Sequence, residues 1–179
     1  AGKLGSVESR LLGEFRYGRN WPSRFSARTR HQAHQNAGIF PVDDASLKAA
    51  ATELWEALQQ LELLGCWPVE YQARLFMELP QLPLRCEMPD LEPFSYPLPW
   101  SAALAGRKVL VLHPFCQSFQ RQWGRREQLF PQTPVLPPFE PQFLPTPMTV
   151  RGAHHGHASW SEALEQLWGR VEPLQYDVA

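Results

Sequence analysis

The segment Gly2-Lys3-Leu4-Gly5-Ser6-Val7-Glu8 holds the residue types that handle an anion. Glycines let backbone N–H groups approach a negative ligand, and a helix starting just after them adds the positive end of its dipole. Lys3 and Arg10 supply side-chain charge nearby. The Glu8 carboxylate, at the start of that helix, suits a divalent metal or a sugar hydroxyl. The competing reading is a glycine turn in which Glu8 merely complements the dipole.

A second candidate is His113, which follows the run Arg107-Lys-Val-Leu-Val-Leu112 and precedes Pro114. A histidine at a strand end can act as a base, donate to phosphate, or tie down the loop. His154-His155-Gly156-His157, after Arg151-Gly152, invites a metal reading, but no Cys or carboxylate stands close enough to complete a site. A polar loop is the reading taken there. His31-x-x-His34 is similarly thin. Asn36, in Asn-Ala-Gly-Ile-Phe-Pro at 36–41, can hold a tight turn or contact a ligand. No phosphate loop of the Gly-x-x-x-x-Gly-Lys-Ser/Thr type, no Gly-x-Ser-x-Gly elbow and no Cys-x-x-Cys pair occurs. That argues against P-loop nucleotide hydrolysis, α/β-hydrolase chemistry and thioredoxin-like redox work.

These residues need elements to position them. The unbroken apolar run Val109–Leu112 suits a central strand of a parallel sheet, covered on both faces and ended by Pro114. Phe115, Phe119 and Trp123 then carry a helical spacing, predicting a helix from about 116 to 129. Val7, Leu11, Leu12 and Phe15 share one helical face after Ser6, the expected N-cap. Residues 18–42 read as irregular. Leu47, Ala51, Leu54, Leu58 and Leu61 predict a long helix from Asp43, Asp44 or Ser46 through Leu64, with Gly65 as its stop. Cys66-Trp67 reads as a short strand and 69–79 as a further helix. The proline-rich stretch 80–99 reads as a loop, and 131–147 as another, leaving Phe139–Leu144 room only for a short edge strand. Ser159-Trp160-Ser161-Glu162 has capping-box spacing and opens a last helix.

Strand and helix patterns alternate, so the expected class is α/β: a Rossmann-like, mostly parallel sheet flanked by helices. Open sheets of this kind bind ligands just beyond the carboxyl ends of their strands, where loop 2–6 and His113 stand. The 179 residues fit a single domain, 1–179, of which 44% are hydrophobic and 20% charged. Tyr176-Asp177-Val178-Ala179 looks like a strand just begun, so the sheet is expected to be truncated at its C-terminal end and the chain to be a fragment of a longer protein. No apolar run approaches the ~18 residues needed to cross a bilayer, no secretory leader is expected, and three cysteines without paired spacing read as reduced thiols in a cytoplasmic protein. Charge is uneven. Residues 1–35 carry net +5 against −6 for the rest, which points to an anionic ligand near the N-terminal segment or to a solvated basic face.

Three segments together, Gly-Lys-Leu-Gly-Ser-Val-Glu-Ser-Arg at 2–10, Asn-Ala-Gly-Ile-Phe-Pro at 36–41 and Gly-Arg-Lys-Val-Leu-Val-Leu-His-Pro-Phe at 106–115, resemble a bacterial family. It comprises glycosyltransferases of capsular and surface polysaccharide synthesis with a GT-D-type fold. The resemblance implies a nucleotide-sugar donor, a glycan or lipid-linked acceptor, and donor binding by Gly2, Lys3, Gly5, Ser6, Arg10, Asn36 and His113. It implies Glu8 as the catalytic residue and as a ligand for Mg or Mn. The family's early loop carries Asp-x-Glu, whereas this chain has Ser6-Val7-Glu8. The aspartate is replaced by a hydroxyl, a weak ligand for a hard cation. The family also continues past the final strand into a glycine-rich loop that this chain does not contain.

The expected activity is therefore sugar transfer from a nucleotide diphosphate to a hydroxyl. A rival class is a non-catalytic binding module, in which basic residues interleaved with Phe15, Tyr17, Trp21 and Phe25 hold single-stranded nucleic acid or an acidic polymer. A second rival is a degenerate scaffold, for which Ser6 is the hint.

Overall fold

The computed structural model describes residues 1–18, 25–153 and 156–179. Arg19, Arg24, the Asn20-Trp21-Pro22 break, His154 and His155 lie outside the described residues. The chain is α/β, with two small parallel sheets. It divides into two compact units, Ala1–Met88 with Met148–Gln166, and Pro89–Pro147 with Leu167–Ala179.

In the first unit, β1 (Gly2–Lys3), β2 (Leu63–Cys66) and β3 (Leu84–Glu87) form a parallel sheet in the order β1-β2-β3. Gly2 pairs with Leu64, and Leu64 with Arg85. Helix α1 (Ser6–Tyr17) returns the chain from β1, followed by α2 (Ala27–Asn36) and α3 (Asp44–Gln59) before β2. Helix α4 (Gln72–Met77) joins β2 to β3. Leu11, Leu12, Leu47, Leu64 and Leu75 are fully buried at the centre of this unit. Each such leucine contributes ~1.5–3 kcal/mol of burial free energy.

Several boundaries differ from the sequence expectation. Gly2-Lys3 is a short strand rather than part of a loop, because its backbone completes a ladder with β2. Helix α3 ends at Gln59, not Leu64, and Gly65 lies inside β2. The leucine spacing continues past the helix because Leu64, fully buried, serves the sheet instead. Helix α2 lies in a stretch read as irregular: its exposed face is polar, and only Thr29 and Ala33 are buried. Strand β3 was likewise hidden in a proline-rich stretch.

In the second unit, β4 (Lys108–Leu112) pairs parallel with β5 (Glu140–Leu144), in register from Lys108↔Glu140 to Leu112↔Leu144. On its other side β4 meets the end of the chain: Val109 bridges Val178 in parallel, and Leu110 N–H donates to the Val178 carbonyl at 2.8 Å. β4 is thus flanked on both edges, with β5 the edge strand that its prolines require. Val109 and Leu110 are buried, but Lys108 is exposed and Leu112 is 39% exposed, so both faces are covered only in the middle of the strand. The predicted helix 116–129 is two helices, α5 (Cys116–Trp123) and α6 (Arg126–Leu129), broken at Gly124.

The last helix, α7 (Trp160–Val171), contributes residues to both units. Its start is capped as the spacing predicts: Ser159 Oγ accepts from Glu162 N–H at 3.1 Å, and Glu162 Oε2 accepts from Ala158 N–H at 2.6 Å. Cys66, Cys86 and Cys116 are free thiols. Among the described residues no helix is long and apolar enough to cross a membrane.

Candidate functional site

The candidate site is the carboxyl end of β1 and the first turn of α1. The chain leaves the sheet at the buried Leu4 and turns into α1 with Gly5, not Ser6, as N-cap (φ −68°, ψ 165°). Gly5 carries no side chain, so no side-chain hydrogen bond caps this helix, and its first N–H groups stay open to another acceptor. Ser6 is exposed at the first helical position, while Val7 is buried and anchors the turn.

Glu8 stands at the third helical position and folds back toward Gly5. A Cβ built on Gly5 would overlap Glu8 Oε2. The carboxylate therefore rests at the positive end of the helix, where a bound anion would otherwise gain most. Lys3 is exposed and makes no ion pair among the described residues.

Strand β2 borders the site. Trp67, the residue after the strand, donates from Nε1 to the Leu4 carbonyl at 2.8 Å, satisfying the backbone where it leaves β1. Gln72 in turn accepts the Trp67 N–H at 3.0 Å. Trp67 is still 38% exposed, so an indole face borders the loop. Sequence reading placed Trp67 only in a short strand. The available signal was its position, an aromatic directly after an apolar run at a strand's carboxyl end.

Arg10 is turned away to other work. Its Nε pairs with Glu70 at 3.1 Å, and Nη1 donates to Gln32 Oε1. Ser9, fully buried, donates to the Glu70 carbonyl. Both residues lock α1 to the β2–α4 loop. Burial first, then the Glu70 and Glu14 carboxylates, push the Tyr71 phenol in that loop above its ordinary value, so it stays neutral.

Asn36 is the exposed last residue of α2. The motif around it builds a turn: Gly38 is left-handed (φ +68°), Ile39 N–H returns to the Ala33 carbonyl at 2.9 Å, and Phe40-Pro41 is cis. His113 belongs to the second unit. Its Nδ1 accepts the Phe115 N–H at 3.0 Å, which places the neutral ring's proton on Nε2. The ring meets Phe119 edge-on at 4.8 Å and Phe115 at 5.3 Å. It thus ties β4 to the start of α5.

Three of the basic residues of the N-terminal segment, Arg10, Arg16 and Arg30, are spent on internal pairs. Arg16 bonds Glu78 at 2.6 Å and stacks on Trp55, and Arg30 bonds Asp44 at 2.5 Å. Phe25 is buried, and Phe15 and Tyr17 pack against the core. Among the described residues no three His, Cys, Asp or Glu side chains are grouped to hold a metal.

Of the predicted residues, then, Gly2, Lys3, Gly5, Ser6 and Glu8 come together around one helix start, beside Trp67. Arg10 supports that loop from behind, Asn36 stands exposed at the end of α2, and His113 holds the turn after β4. No family model, curated protein or solved structure matches the chain at a significant level.

Proposed function

We propose that this chain is a glycosyltransferase-type domain that moves a sugar from a nucleotide-diphosphate donor to a hydroxyl of a glycan or lipid-linked acceptor in surface polysaccharide assembly. The observation that supports it is the uncapped first turn of α1 at the carboxyl end of a parallel strand, with Gly5 at the N-cap and Lys3 exposed beside it. Backbone N–H groups and Lys3 hold the diphosphate there, and the exposed Trp67 face offers a stacking surface for the base. In the transfer, the acceptor oxygen bonds to the anomeric carbon, the bond from that carbon to the diphosphate oxygen breaks, and the hydroxyl proton passes to water. Charge builds on the departing diphosphate, so donors fixed at its position lower the barrier most.

Glu8 has a defined part in this arrangement. Two anions at one helix end repel, so its carboxylate faces a donor hydroxyl rather than the diphosphate. Calorimetric titration with a panel of nucleotide-diphosphate sugars tests the reading. Saturable binding is expected, at least tenfold weaker in Glu8→Ala. Inorganic pyrophosphate, which has no hydroxyl for Glu8, is expected to bind more tightly to Glu8→Gln than to the wild type. No binding of any donor overturns the proposal, and unchanged donor affinity in Glu8→Ala removes Glu8 from it.

A further inference from the structure

The second unit holds an apolar pocket of about 500 Å³ that none of the residues discussed above explains. Val111 of β4 and Phe143 of β5 are register partners and share its floor. Phe119 and Trp123 of α5 form one wall, with Phe139 packed on Trp123 at 4.2 Å. Gln122 is the one polar residue in the lining. Its volume lies in the range of small-molecule sites. At its edge Phe94 is 62% exposed, Phe119 45% and Leu129 48%. Clustered aromatic exposure of this kind marks a surface that something apolar covers.

Charge next to the lining points to the kind of molecule. Arg126 lies 5.1 Å over the ring of Trp123, a lining residue, and opens the short helix α6, whose last residue Leu129 and the following Phe130 also line the pocket. Its buried Nε has no hydrogen-bond partner among the described residues. Among the described residues its one ion pair is with Glu127 at 3.2 Å, whose side chain is 85% exposed and whose pairing is weak and exchangeable. The adjacent Arg125 is exposed and makes no ion pair among the described residues. An apolar slot with an under-neutralised arginine stacked on one of its lining residues matches an amphiphile.

We propose that this pocket binds a single apolar chain carrying an anionic head group, with the chain between α5 and the β4–β5 sheet and the head at Arg126. The proposal stands independently of the donor reading, because every residue it uses belongs to the second unit.

Calorimetric titration with decyl phosphate, kept below the concentration at which it forms micelles, tests it. Saturable binding of one molecule per chain is expected. Arg126→Gln is expected to weaken it at least tenfold, and Phe119→Ser to do the same with an unchanged circular dichroism spectrum. Phe94→Ser, at a more exposed ring, gives the same readout should Phe119→Ser fail to fold. Neutral decanol is expected to bind at least tenfold more weakly than decyl phosphate. Absence of saturable binding, or equal affinity for decanol, overturns the proposal. So does binding confined to phosphatidylglycerol vesicles, which would make the aromatic rim a membrane-facing surface instead. Nucleotide-sugar affinity is expected to be the same in Phe94→Ser as in the wild type, which separates this site from the donor loop.

Discussion

The Glu8 carboxylate occupies the space that a side chain at residue 5 would need: a Cβ on Gly5 would overlap Glu8 Oε2. The glycine therefore does two things at the helix start. It leaves the first turn without a side-chain cap, and it leaves room for Glu8 to fold back toward residue 5.

Gly5→Ala is expected to separate stability from binding. Its backbone (φ −68°) suits any residue, and the obstacle is the end of a flexible side chain that can swing away. The stability loss should be about 1 kcal/mol, because glycine is an accepted N-cap and alanine a poor one. Donor affinity should fall as in Glu8→Ala, because the carboxylate has moved. Urea denaturation and calorimetry on the same variant check both halves, and an affinity equal to wild type would detach Gly5 from the site.

Gly13→Ala should behave in the opposite way. In a helix this change ordinarily stabilises by about 1 kcal/mol. Here the Tyr71 ring lies on the glycine, and a Cβ would enter it. Tyr71 is itself held at φ 66° as the residue before α4, which gives the ring no easy retreat. A net loss of ~1–3 kcal/mol in urea denaturation is expected from the overpacking. A gain would show that the ring moves freely.

Gly38→Ala is expected to cost more, ~2–5 kcal/mol. The left-handed conformation alone costs a side chain about 1–2 kcal/mol. An added Cβ would also lie 2.9 Å from the Thr149 carbonyl carbon and 3.0 Å from the Val150 nitrogen, a backbone that cannot step aside. A drop in Tm of the whole chain is the readout, and a variant as stable as wild type would contradict the packing.

The cap at α3 gives a pH signature. The Ser46 N–H and hydroxyl, at 2.9 Å each, hold the Asp43 carboxyl below the usual aspartate range. A carboxylate with a lowered folded value contributes stability above its unfolded value and loses it as pH falls through the folded one. Asp43→Ala should therefore cost ~1 kcal/mol at neutral pH and progressively less under acid conditions below the usual aspartate range. Urea midpoints of both proteins across that range test this, and a pH-independent gap would refute it.

Local patterns carried much of this architecture. The apolar run at 109–112 specified a strand with neighbours on both edges, and the Asp43 and Ser159 signals placed two helix starts within a residue or so. Each depends on a short segment and its own backbone groups. Helix α2 escaped because its exposed face is polar throughout. Its start is held from elsewhere in the chain: Glu14 of α1 accepts from Ser26 N–H, Ser26 Oγ and Thr29 Oγ1 at 2.7–2.8 Å. Strand β3 escaped because its pairing partner, β2, lies some twenty residues away.

The sequence by itself determined that the chain is α/β and that a glycine loop, a carboxylate and a lysine meet at a helix start, because those residues are contiguous. Only the tertiary structure decided the rest. It turned Arg10 toward Glu70, set His113 to hold the Phe115 N–H, and brought Trp67 to the carbonyl of Leu4. A charged or aromatic side chain reads the same in sequence whether it is spent internally or left free, and its use is settled by partners far along the chain.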